Sequence, residues 1–115
     1  TRYAGDRGVN MAKVVVNPGV CGFKTVITVT ADENQAVNVT IDSACEAVKA
    51  MEAELKWLDG YTEVLGKFGT SKISEVAAKL CRHSACPVPS GIFKGVEVAC
   101  SLALPAPVSM EISNE

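Results

Sequence analysis

Apolar and polar positions alternate with period two over the first third of the chain, then change to a helical period. Lys13 to Val16 is a short β-branched run stopped by the turn sequence Asn17-Pro18-Gly19. After Val20-Cys21-Gly22, the stretch Phe23 to Thr30 sets Ile27 and Val29 against Thr28 and Thr30. Asp32 to Gln35 makes a second turn, and Val37, Val39 and Ile41 then face opposite Asn38 and Thr40. Three alternating runs joined by two turns predict an antiparallel meander with one wet face.

At Ser43 the period changes. Ala44, Val48, Met51, Leu55 and Leu58 recur at steps of four and three, and Ser43-Ala44-Cys45-Glu46 has the spacing of a capping box, which predicts a helix starting beside Cys45. Asp59-Gly60, Gly66 and Gly69 interrupt the pattern, so the stretch from Tyr61 to Thr70 reads as a short helical piece and a loop. A further helix fits Ser71 to about Arg82, with Ile73, Val76, Ala77 and Leu80 on one face. Pro89 and Ser90 suit the first turn of a last helix carrying Ile92, Phe93, Val96, Ala99, Cys100 and Ala103, which terminates at Pro105. Its face around Gly91 and Lys94 reads as solvated. Val108, Met110 and Ile112 alternate as a final strand. The expected fold class is α+β: a three-stranded antiparallel meander, helices packed on one face, and a C-terminal strand.

Composition narrows the field. The chain has 115 residues, 48% of them apolar, and a formal charge of -2, which fit one ordinary folded domain with one core. Eleven basic residues against thirteen acidic ones, with no basic cluster, give no electrostatic footprint for nucleic acid. The longest apolar stretch, Val98 to Val108, is about half the roughly 20 residues that cross a bilayer, and Pro105 and Pro107 break it. The opening TRYAGDRGVN is polar and Met11 directly precedes the first strand pattern. Residues 1–10 therefore read as an upstream extension or a cloning remnant, and residues 11–115 as the single domain. With no secretion signal read in the chain, a cytoplasmic location is expected, and Asn38-Val39-Thr40 reads as the polar side of a strand rather than a glycosylation site.

The candidate chemistry lies in the cysteines. Cys21, Cys45, Cys81 and Cys86 stand at turns or helix ends, joined by the only histidine, His83, whereas Cys100 lies inside an apolar helical pattern and reads as core. In a reducing compartment such thiols are metal ligands or reactive groups more often than disulfides. Cys45 and Cys86 fall at helix starts, where unpaired N–H groups and the helix dipole favour a thiolate. Cys81 falls near a helix C-terminus, so either it or His83 is the fourth ligand. Soft thiolates with an imidazole suit zinc or an iron–sulfur cluster, and residue types alone do not choose between them.

These positions resemble two groups of proteins over roughly Ala12 to Ala103. In the IscU/NifU-type iron–sulfur scaffold proteins, a Cys-Gly after the first turn opens a β meander. A second cysteine starts the next helix, and a His-Cys pair precedes the final one. Cys21-Gly22, Cys45, and His83 with Cys86 occupy those places here. The sequence departs from that pattern at Phe23, where the scaffolds carry an acidic residue, and in the two residues between His83 and Cys86. Cys81-Arg82-His83-Ser84-Ala85-Cys86-Pro87 is similar to the end of the TSCPD-domain pattern, with Ala85 and Val88 replacing two usual residues, and that likeness implies four cysteine ligands. The run Cys86 to Ile92, with Leu102-Ala103-Leu104-Pro105, also resembles a small uncharacterised microbial family that brings no known activity.

The expected function is thus binding of a metal or iron–sulfur cluster as a scaffold, carrier or accessory module, with a protein partner for its transfer and no catalytic residues. Nothing in the pattern sets an oligomeric state. The alternatives are a structural zinc module for protein interaction and, behind it, an enzyme using Cys86 or Cys45 as nucleophile with His83 as base.

Overall fold

A computed structural model of the chain describes residues 10–115; the reading of residues 1–9 lies outside them. Asn10, counted with the extension above, belongs instead to the first strand, where it pairs with Ala31. Four strands form one antiparallel sheet in sequential order: β1 (Asn10–Val16), β2 (Thr25–Ala31), β3 (Ala36–Ser43) and the two-residue β4 (Leu58–Asp59). The sheet is therefore four-stranded rather than three-stranded, because Leu58, expected on a helix, pairs with Val37.

Period-two alternation fixes which face is buried. In β2, Thr25, Ile27, Val29 and Ala31 are all buried, and in β3 so are Val37, Val39 and Ile41. Lys13, Thr28 and Thr40, which follow one another across the register, point to the other, wetter face. The turn between β2 and β3 is built by the Asp32 carboxylate, whose Oδ1 accepts from the N–H groups of Asn34 at 2.8 Å and Ala36 at 3.0 Å. Thr25 Oγ1 donates to Ser43 Oγ at 2.9 Å and so ties β2 to β3 at the far end of the sheet.

After β3 the chain makes α1 (Glu46–Ala50) and a 3-10 turn (Met51–Glu54), then α2 (Gly60–Leu65), α3 (Lys72–Leu80) and α4 (Val88–Ala99). The single long helix expected after Ser43 breaks up because the outer edge of β3 needs partners. Val39 N–H donates to Leu55 O at 2.9 Å and Ile41 N–H to Glu52 Oε1 at 2.7 Å. Lys49 and Lys56 ammonium groups donate to the carbonyls of Ile41 and Val39. Val48, Met51 and Leu55 still enter the core, as their spacing required. Ser43 does not act through a capping box: its Oγ accepts from Cys45 N–H at 3.1 Å, and Cys45 itself is the N-cap of α1.

The short helix and loop expected between Tyr61 and Thr70 are observed as α2 and the segment after it. The helix expected from Ser71 is α3, with Ser71 as N-cap accepting from Ser74 N–H at 3.2 Å. The last helix stops five residues before Pro105, at Cys100, and Ser101 follows in a left-handed conformation with φ of 63°. No strand forms over residues 101–115; Val108, Met110 and Ile112 are 66%, 77% and 89% exposed. Pro105 and Pro107 remove backbone donors just before this stretch.

Helix α4 lies directly on the sheet. Gly91 and Gly95 are both buried, so Gly91 belongs to the packing face, while Lys94 is exposed as expected. A Cβ on Gly91 would stand 2.8 Å from Val16 Cγ2, and one on Gly95 would stand 2.9 Å from Val29 Cγ2 and 3.2 Å from Val14 Cγ2. The missing side chains thus set the helix-to-sheet distance. The contacts also set direction: the Gly91 end lies over Val16 and Ile27, while Asn10 Nδ2 meets Ser101 Oγ at the other end.

Gly95→Val should lower the free energy of unfolding by about 1–3 kcal/mol, because the added volume must displace Val14 and Val29. A urea unfolding midpoint equal to that of the parent chain would show that α4 does not depend on this contact.

Candidate functional site

Cysteine is spread through the sequence, but sheet register and helix direction gather four of the five residues. Val16, Thr25 and Ser43 are aligned across β1, β2 and β3 at one end of the sheet. Cys21 lies in the loop leaving β1 at that end, and Cys45 follows Ser43 there. Because α4 starts over Val16, Cys86, two residues before its first residue, comes to the same end. Cys81, the C-cap of α3, reaches it through the turn between the two helices.

Each of the four has a distinct local setting. Cys21 is exposed in a loop where Gly19 and Gly22 adopt left-handed φ values of 91° and 73°, and Gly22 N–H returns to Gly19 O at 3.0 Å. Cys45, Cys81 and Cys86 are half-buried and packed against the hydrophobic core. The position of Cys81 follows from the start of α3. The buried carboxylate of Glu63 accepts from Lys72 N–H at 3.1 Å and Ile73 N–H at 2.8 Å, where unpaired donors and the helix dipole favour an anion. At its other end, Lys79 Nζ meets Glu54 Oε1 at 2.8 Å, and the resulting hydrogen bond is the first cause of the lowered Glu54 carboxyl pKa. Glu63 was missed in the sequence, because it lies too far from α3 along the chain to show as a cap.

The connection between α3 and α4 is organised around one carbonyl. Cys81 Sγ donates to His83 O at 3.8 Å, and Cys86 N–H donates to the same oxygen at 3.2 Å. Cys81 and Cys21 both lie close enough to Cys86 to raise its thiol pKa. His83 is exposed and takes part in this turn through its backbone, so Cys81 rather than His83 is the neighbour of Cys86. Cys45 lies at the same end of the molecule as the N-cap of α1.

Burial pushes the Cys86 thiol up from its ordinary value. Val88 N–H, at the first turn of α4, donates to the sulfur and opposes that rise, while the neighbouring Cys81 and Cys21 add to it. The expectation that the helix start makes Cys86 a ready thiolate is therefore corrected: burial and like charges outweigh the helix terminus. Among the described residues, no group of three or more histidine, cysteine, aspartate or glutamate side chains is drawn tightly enough to hold a metal ion. Cys21, Cys81 and Cys86 are neighbours without forming such a group. A hollow of about 310 Å³ beside α4, bordered by Phe68, Phe93 and Lys94, has no cysteine in its wall.

Cys100 stands apart, as its apolar setting predicted. It is 1% exposed at the opposite end of α4, and a Cβ on Gly60 would meet its sulfur. Burial, and secondarily the charge of Asp59, push its thiol up to about 11.

The sequence profile of a family of unknown function, DUF6951, matches residues 12–112. No curated protein matches the chain. Among the described residues no helix is long and apolar enough to cross a membrane.

The raised Cys100 value predicts a pH effect. Its stabilising contribution is fully present below the unfolded value of 9.0 and is lost as pH rises towards about 11, since only the unfolded thiol ionises in that window. That gap corresponds to about 3 kcal/mol. Stability measured by urea titration should fall more steeply between those pH values in the parent than in Cys100→Ala; parallel profiles would refute a buried neutral thiol.

Proposed function

Since the chain belongs to DUF6951, a family of unknown function, its own thiols must carry the argument, and we propose that it binds a metal ion or an iron–sulfur cluster. Cys81 and Cys86 supply the first two ligands, Cys21 the third, and Cys45 or an external group completes the set. The observation that carries this reading is the convergence of Cys81 Sγ and Cys86 N–H on His83 O, with Cys21 near enough to act on Cys86 from a third segment.

The donor set fits a soft cation. Thiolates select zinc or iron–sulfur units over hard cations, and a bound cation supplies the positive charge that this group of thiols lacks. Without it, burial holds Cys86 protonated; with it, the thiols deprotonate on binding. The glycine-hinged loop of Cys21 requires the smallest rearrangement to close the set, because a few backbone bonds hold it.

The IscU/NifU-like resemblance supports a role as cluster scaffold or carrier. A meander precedes the helices, and cysteines follow the first strand, cap the next helix and precede the last helix. The TSCPD likeness supports Cys81, rather than His83, as the fourth cysteine-type ligand. A carrier requires a protein partner to donate or accept its cargo.

A structural zinc module is favoured by a separate observation: the three thiols tie the β1–β2 loop to the ends of α3 and α4, so a closed site cross-links the fold. Metal removal decides between them, because a cross-linking zinc takes folding free energy away with it while a carrier stays folded.

Protein purified without oxygen and without chelator should contain iron with acid-labile sulfide, or zinc near one per chain. Cys81→Ser and Cys86→Ser should each abolish stoichiometric binding, and Cys100→Ser should retain it. Absence of any metal, even after reconstitution of the reduced chain, would sink the reading.

A further inference from the structure

We propose that Cys81 and Cys86 close a reversible intramolecular disulfide, and that closure by a low-molecular-weight disulfide such as oxidised glutathione turns off the metal or cluster site. The regulatory half rests on the metal-binding reading above; the disulfide does not.

Both residues are free thiols, and both converge on His83 O, Cys81 through its sulfur at 3.8 Å and Cys86 through its N–H at 3.2 Å. The turn from His83 to Cys86 folds the chain back, so both residues reach one carbonyl with only four residues between them, and the loop to be closed is short. Each side chain is packed against the core, one as the C-cap of α3 and the other just ahead of α4. The two partners are thus held near one another by helices on both sides, which lowers the ordering cost of the bond. Cys81 keeps part of its surface open to a small oxidant.

The electron count closes with the oxidant named. The Cys81 thiolate attacks one sulfur of the glutathione disulfide, whose S–S bond breaks, and one glutathione thiolate leaves with the electron pair. Cys86 gives its proton to solvent and attacks the Cys81 sulfur of the mixed disulfide, expelling the second glutathione. The two protein sulfurs lose two electrons and two protons, and the oxidant becomes two thiols. The closed bond has no thiolate charge, so two ligands are lost together.

The test treats the reduced full chain with excess oxidised glutathione, followed by peptide mass mapping, thiol counting and zinc binding. Linkage of Cys81 to Cys86 is expected, leaving three of the five thiols. Cys21→Ser and Cys100→Ser should still close the bond, whereas Cys81→Ser and Cys86→Ser should stop at a glutathione adduct or the free thiol. Zinc held by the reduced chain should be released on closure and regained after a thiol reductant. A persistent glutathione adduct on the parent chain, or linkage of Cys21 to either residue, would overturn the pairing. Zinc retained after closure would overturn the switch. If the bond closes but the reduced chain binds no zinc, the metal reading fails and the disulfide stands. If zinc binds and no bond closes, the inference fails alone.

Discussion

The contact of α4 with β1 and β2 governs the rest of the molecule. Gly91 and Gly95 leave room for Val16, Val14 and Val29 to approach the helix axis, so α4 settles close to the sheet and in one orientation. That orientation carries Cys86 to the end where β1 leaves, β2 enters and β3 stops, and carries Cys100 to the opposite end. A bulkier stripe would lift the helix, and the spacing between its first turn and the β1–β2 loop would change with it.

A second constraint acts on the other edge of the sheet. Beyond its short pairing with β4, β3 exposes backbone donors and acceptors that helix α1 cannot satisfy as a continuous cylinder. The chain instead tightens into a 3-10 turn, which brings Glu52, Leu55, Lys49 and Lys56 to the strand. Acceptance of the Ile41 N–H is the leading cause holding the Glu52 carboxyl below its ordinary value, with Lys49 and Lys56 assisting against the cost of burial. Backbone satisfaction thus outweighs helix continuity here, and the same segment supports α3 through Glu54 and Lys79.

At the thiol end, opposing effects meet on one sulfur. The helix terminus offers Cys86 an N–H donor, yet desolvation and two neighbouring thiols keep it neutral. A sulfur held protonated in this way is a poor nucleophile at rest, yet it can give its proton up to a bound cation. The proposed metal binding follows from that balance.

The sequence by itself determined the meander, the position of α3, the presence of a short helical piece before it and the separation of Cys100 from the other cysteines, because period and turn chemistry are local properties. Ile27, Val29, Val39 and Val76 are buried as their spacing required. Only tertiary structure decided that Leu58 pairs as a strand, that the Val108–Ile112 alternation joins no sheet, and that Cys81 acts on Cys86 through its side chain while His83 does so through its backbone. An alternating pattern shows that a segment can pair, whereas an available edge depends on what the rest of the chain has already covered. The sign of the Cys86 shift was likewise hidden, since a helix start is visible in sequence and the burial that outweighs it arises only when α4 docks on the sheet.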